Sequence, residues 1–260
     1  MDLWQTIFLA GSGFCAGVMN AIAGGGTILT FPALIFAGIP PILANATSTV
    51  ALLPGTLAGV AGYRRNVPAI RRWIRIYGPV SLLGGLIGGI LLTQTPAPLF
   101  DRLVPFLVLF ATVLFTMRNV FLRIFRLEAA VSQEAVSARW LAGAIVFQLL
   151  VSIYGGYFGA GIGILMLATL GLLGFQNIHE MNALKGILGF AINAVAAAYF
   201  IAVGLVEWPS AEVVALGGIV GGYAGASFAQ KISQQTVRRL ITAVGIGITA
   251  ALFYKQLRGG

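Results

Sequence analysis

Apolar residues run through this chain in blocks of about twenty, separated by short stretches that collect arginines, prolines and glycines. A helix crossing a membrane needs about 17–25 residues, and blocks of that length divide the chain into ten. They fall at 3–23, 26–38, 42–62, 74–94 and 100–117, then at 139–159, 162–174, 181–204, 211–229 and 237–255. The second and seventh hold only about thirteen residues, roughly 20 Å of helix against a hydrocarbon core of about 30 Å. They read as half-helices or re-entrant segments. The expected fold is an all-α integral membrane protein.

Composition sharpens this picture. Of 260 residues, 58% are hydrophobic and 9% charged, with a mean hydropathy of +0.95; soluble domains carry about a quarter charged. The net charge of +9 does not point to nucleic acid, because the basic residues sit in short loops between spans rather than on a polar surface. One cysteine, Cys15, forms no internal disulfide and reads as a small packing residue. One His beside it makes no metal cage, and no nucleophile set points to an enzyme. No cofactor is expected. The start, MDLWQTIFLAGSG, lacks the basic region of a signal peptide and is expected to remain as a span.

The charges orient the chain. Arg64, Arg65, Arg71, Arg72 and Arg75 follow the third span; Arg118, Arg123, Arg126 and Arg139 follow the fifth; Lys231, Arg238 and Arg239 follow the ninth. Twelve basic residues on that side face three on the other, Arg102, Lys255 and Arg258. The loops at 63–75, 118–139 and 230–239 are therefore expected in the cytoplasm, with both termini outside. The chain also repeats itself. GGGTILTFPALIFAGIPPILANATS aligns at an offset near 136 with GAGIGILMLATLGLLGFQNIHEMNALK, and GGLIGG at Gly84 to Gly89 aligns with GGIVGG at Gly217 to Gly222. Residues 1–117 thus form a first repeat and 139–260 a second. Residues 118–138, alternating basic and bulky apolar residues, read as a cytoplasmic linker suited to an interfacial helix. Five spans per repeat, an odd number, insert the second copy upside down.

Inverted repeats with short, Gly- or Pro-interrupted segments at matching places are a transporter signature, and the interruptions mark a site near the midplane. In hydrocarbon an unpaired peptide group costs several kcal/mol, so broken backbone persists where it is shielded or lines a cavity. The first break is NAIAGGGT, with Asn20, Gly24, Gly25, Gly26 and Thr27; the second is GAGIG, with Gly159 and Gly161. Half-helices that start after Gly26 and Gly161 would offer unpaired N–H groups and a partial positive charge to an anion.

Lys185, in HEMNALKGILGFAINA, is expensive in a span, at about 2.5–3.5 kcal/mol near its centre. Asn182, Lys185, Gly189 and Asn193 share a helical face. Lys185 either binds substrate or snorkels to the inner surface. In the third span Asn45, Ser48, Thr49, Thr56 and Gly59 share a face; Thr56 and Gly59 read as helix packing, whereas Asn45, Thr47 and Ser48 suit binding and packing equally. His179 beside Glu180 reads as a loop pair at the membrane edge, with proton relay as the alternative. No carboxylate stands near the centre of a span, so the sign of the cavity favours a small anion over a cation.

NAIAGGG, the ANATS run and NALKG, set in two repeats of about 130 residues, resemble the TauE/SafE family of membrane permeases, also called the toluene sulfonate uptake permease family. The resemblance covers nearly the whole chain. It implies transport of small sulfur-containing anions, sulfite or organosulfonates, commonly outward across a bacterial inner membrane. The expected partners are that anion and the lipid bilayer, with a homo-oligomer left open. Proton-coupled uptake of the same anions and an anion channel are the alternatives.

Overall fold

The computed structural model describes residues 1–22, 25–62, 64–117, 138–173, 175, 177–228 and 234–257. Among them are ten α-helices. The first five are α1 (Leu3–Ile22), α2 (Thr27–Phe36), α3 (Pro41–Gly62), α4 (Val67–Gln94) and α5 (Ala97–Thr116). The second five are α6 (Ala138–Tyr157), α7 (Ile162–Leu172), α8 (Ile178–Ala202), α9 (Trp208–Phe228) and α10 (Gln234–Leu257). Every expected span is present as a helix. The short pair is α2 and α7, with 10 and 11 residues.

Each of the three basic loops ends earlier than the sequence reading expects. The loop expected at 63–75 is a 3-10 turn, Arg64–Asn66, followed by the opening turns of α4, so Arg71, Arg72 and Arg75 are helical and exposed. Charge ends a hydrocarbon span but not a helix; arginine is a good helix former, and Pro68 at the helix start needs no N–H partner. Likewise residues 234–239 belong to α10. The interfacial helix expected at 118–138 lies outside the described residues except for Ala138, which with Arg139 opens α6 rather than lying in a loop.

The outer surface is apolar. Trp4 is 73% exposed, Leu216 65% and Tyr223 80%, where a soluble protein breaks up such surface. Val67–Gln94, Ala97–Thr116, Trp140–Tyr157 and His179–Ala202 are each long and apolar enough to cross a membrane. Cys15, expected inside, is exposed on α1; the buried stripe of that helix is Leu9, Gly13, Ala16, Gly17 and Met19, leaving Cys15 off it.

Helices surrounded by lipid gain little from burying apolar surface and associate through small residues that let backbones meet. The glycine pairs do this crosswise between the halves. A Cβ on Gly217 or Gly221 of α9 would overlap the carbonyl of Ala10 or Phe14 in α1. A Cβ on Gly84 would stand 3.0 Å from the carbonyl of Leu149, and one on Gly88 would overlap that of Ile153, both in α6. Gly17 abuts the Gly218 carbonyl as Gly156 abuts that of Gly85. The fourth helix of each half thus packs on the first helix of the other through equivalent residues.

The same contacts fix direction. Numbering rises together along α1 and α9, and along α4 and α6, so each pair is parallel. The third helices are antiparallel: Thr47 Oγ1 near the start of α3 accepts the Glu207 N–H beyond the end of α8, at 3.0 Å, while Val60 near the end of α3 packs at Gly186 near the start of α8. Equivalent helices pointing opposite ways make the halves inverted. The helix ends beside the three arginine-rich stretches consequently share one side of the bundle, where Trp73 meets Phe175 at 5.2 Å and Thr116 meets Thr242 at 3.2 Å.

Candidate functional site: two helix breaks bridged by one turn

The first break joins α1 to α2. Gly25 takes φ +95°, and a Cβ there would overlap the Phe115 ring, so both conformation and space require glycine. The Gly26 N–H, freed at the start of α2, donates to Asn20 Oδ1 at 2.7 Å. Its carbonyl accepts from the Thr30 N–H at 3.2 Å and the Thr30 hydroxyl at 3.4 Å. Thr27 opens α2, and Gly24 lies outside the described residues. Beyond the break α2 returns along α1, with Gln5 Nε2 donating to the Ala37 carbonyl at 3.4 Å.

The second break joins α6 to α7. Gly159 and Gly161 take φ +80° and +82°, and the Tyr154 hydroxyl closes the loop by donating to the Ala160 carbonyl at 2.8 Å. A Cβ on Gly161 would stand 3.3 Å from Leu114, one residue from the Phe115 that covers Gly25. Both breaks therefore meet the same turn of α5. Phe158 packs edge-on against Phe31 of α2 at 5.1 Å between centroids, setting the second break beside the half-helix that leaves the first.

The start of α3 ties the breaks together. Ser48 is fully buried, its hydroxyl 2.6 Å from that of Thr30, which leads back to Gly26. Asn45, one turn earlier and 1% exposed, donates from Nδ2 to the Tyr157 carbonyl at 2.8 Å, at the edge of the second break. Its Oδ1 is buried with no hydrogen-bond partner. Thr47 points instead toward Glu207, while Thr49 and Thr56 donate to carbonyls of their own helix at 2.9 and 3.0 Å.

From the other half, α8 presents Lys185, Gly189 and Asn193 to the same region. The aliphatic stem of Lys185 crosses the first turn of α7, with Cδ 3.3 Å from where a Cβ on Gly163 would be. Asn193 Oδ1 lies 3.8 Å from the equivalent point on Gly159. Between them a Cβ on Gly189 would meet nothing within 4 Å, so this face is open. Asn182 is half-buried one turn before Lys185. His179 and Glu180 serve the helix start: Asn177 Oδ1 caps the His179 N–H at 3.0 Å and its Nδ2 donates to Glu180 at 3.0 Å, a capping arrangement.

The structure thus gathers Asn20, Gly25, Gly26 and Ser48 around one break, and Asn45, Gly159, Gly161 and Asn193 around the other. Lys185 stands two turns of α8 from Asn193, and Thr47 faces the α8–α9 connection. Thr30, Tyr154, Tyr157 and Phe158 were missed in the sequence. The signal for the last three was available, as tyrosines and a phenylalanine interleaved with the glycines of SIYGGYFGAG.

The family model for the sulfite exporter TauE/SafE matches residues 9–252. A probable membrane transporter protein of Haemophilus influenzae is 27% identical over 257 residues, covering 98% of this chain and 96% of its own. A second, from a Sinorhizobium species, is 27% identical and covers 94% and 91%; a third, YfcA of Escherichia coli, is 27% identical and covers 92% and 86%. No solved structure gives a significant match. With part or all of each of the ten helices, both breaks and the α3 turn inside the matched span, the chain belongs to the TauE/SafE family of membrane transporters.

Proposed function

We propose that the protein exports small sulfur-containing anions, sulfite or organosulfonates, across a bacterial inner membrane by alternating access around the paired breaks. The observation that carries this reading is the meeting of Lys185 with the first turn of α7 at Gly163: a cation beside a helix N-terminus makes a region attractive to anions. The buried polar side chains among the described residues are Thr, Ser, Asn and Gln, with no carboxylate. A cation carrier would use carboxylates there. The inverted halves supply two related arrangements of one site, as rocking requires. An inside-negative potential drives an anion outward by about 2.3 kcal/mol per charge per 100 mV, so export needs no coupled ion. The basic helix ends belong on the cytoplasmic side under the same reading.

Flux of labelled sulfite into vesicles holding the purified protein tests the proposal. Saturable flux, competed by organosulfonates and not by alkali cations, is expected. Protein that inserts correctly but carries no sulfur-containing anion would overturn it.

A further inference from the structure

Asn45 holds an acceptor that the protein does not use. Its Nδ2 donates to the Tyr157 carbonyl at 2.8 Å, which fixes the orientation of the amide, since the reversed group would set oxygen against oxygen. Oδ1 is then left buried without a donor on a side chain 1% exposed. The neighbouring hydroxyls on its helix do not serve it. Ser48 pairs with Thr30 at 2.6 Å, and Thr49 donates to the Asn45 carbonyl at 2.9 Å. A buried acceptor left unmet destabilises the fold, and the bond from Nδ2 to Tyr157 does not account for it. This one stands on the turn that links both breaks.

We propose that Asn45 Oδ1 is kept for the transported anion, so that the carrier selects anions that bring a hydrogen-bond donor. The inference rests on the anion-carrier reading above and narrows it. Sulfite and simple alkanesulfonates offer acceptors alone. Bisulfite carries a proton it can donate, and a hydroxyalkanesulfonate carries an O–H. The first kind would add lone pairs opposite Oδ1; the second completes it. A site built around a substrate hydroxyl rejects the analogue that lacks it, because the buried polar group of the site is then unpaired.

Isethionate and 1-propanesulfonate separate the two cases, having equal numbers of heavy atoms and equal fixed charge while differing by O–H against CH₃. Each is used to compete with labelled sulfite for flux in wild-type vesicles at one pH. Isethionate should compete at a concentration about tenfold lower, the scale of one hydrogen bond, and in Asn45→Ala the two should compete equally. Equal competition in the wild type, with sulfite flux intact, overturns the donor requirement and leaves the anion-carrier reading standing. A preference that survives in Asn45→Ala overturns the assignment to Asn45. Should Asn45→Ala fail to insert, the wild-type comparison decides alone, and absence of flux with every sulfur-containing anion removes both readings.

Discussion

Lys185 and Gly163 account for each other. A lysine within a span is costly unless its stem has apolar surface to lie on and its charge has a use, and glycine at 163 provides the bed, since a Cβ there would press within 3.3 Å of Cδ. Lys185→Met is therefore expected to insert at least as well as wild type, relieving about 2.5–3.5 kcal/mol, and to lose sulfite flux. Lys185→Arg should also transport poorly, because a planar guanidinium does not replace a compact ammonium. Vesicle flux normalised to inserted protein measures both, and normal flux in Lys185→Met would mean that the lysine only snorkels. At this scale, polar residues within apolar spans were legible, and Lys185, Asn45 and Ser48 were singled out that way. Thr30 and the part played by the Tyr157 backbone were not, although the aromatic ring of Tyr157 stands out among the glycines. Tyr157 contributes a backbone carbonyl that every residue possesses, to a partner 112 positions away, and Thr30 matters only because Ser48 faces it.

Helix by helix, the sequence reading and the structure agree in number and order, because hydrocarbon thickness fixes span length more tightly than soluble folds fix theirs. The start of α4 was misjudged for a related reason: the rule sees the membrane, and a helix continues beyond it. The GGLIGG and GGIVGG stretches were legible as close-packing surfaces but their partners were not, since a helix apolar all round carries no stripe to show which neighbour it faces. The structure pairs them with opposite halves, α4 with α6 and α9 with α1. Gly88→Leu and Gly221→Leu should then be equally harmful, each forcing a side chain into a carbonyl of the facing helix, at 1–3 kcal/mol or more. Gly143→Leu, where a Cβ would meet nothing within 4 Å, should leave the unfolding midpoint in detergent unchanged or raise it. Unequal losses at Gly88 and Gly221 would show that the two crossings are not equivalent.

For the whole molecule, inversion was inferred from parity, five spans per repeat, and the structure supports it independently through the antiparallel α3 and α8. The halves share their cores: Phe158 and Phe200 join Phe31 and Phe115 in one buried cluster, Ile70 and Tyr77 join Leu167 and Leu184 in the other, and the α3 turn at Asn45 to Ser48 touches both breaks. Any rocking of one half on the other must remake the Asn45 to Tyr157 and Thr47 to Glu207 bonds. A carrier of this kind exposes one site to one side at a time, and counterflow detects that behaviour directly. Vesicles containing the purified protein are loaded with unlabelled sulfite and diluted into labelled sulfite. Alternating access predicts that label accumulates transiently above equilibrium, faster than into empty vesicles; entry that is no faster, and never exceeds equilibrium, would be the behaviour of a channel and would contradict the account.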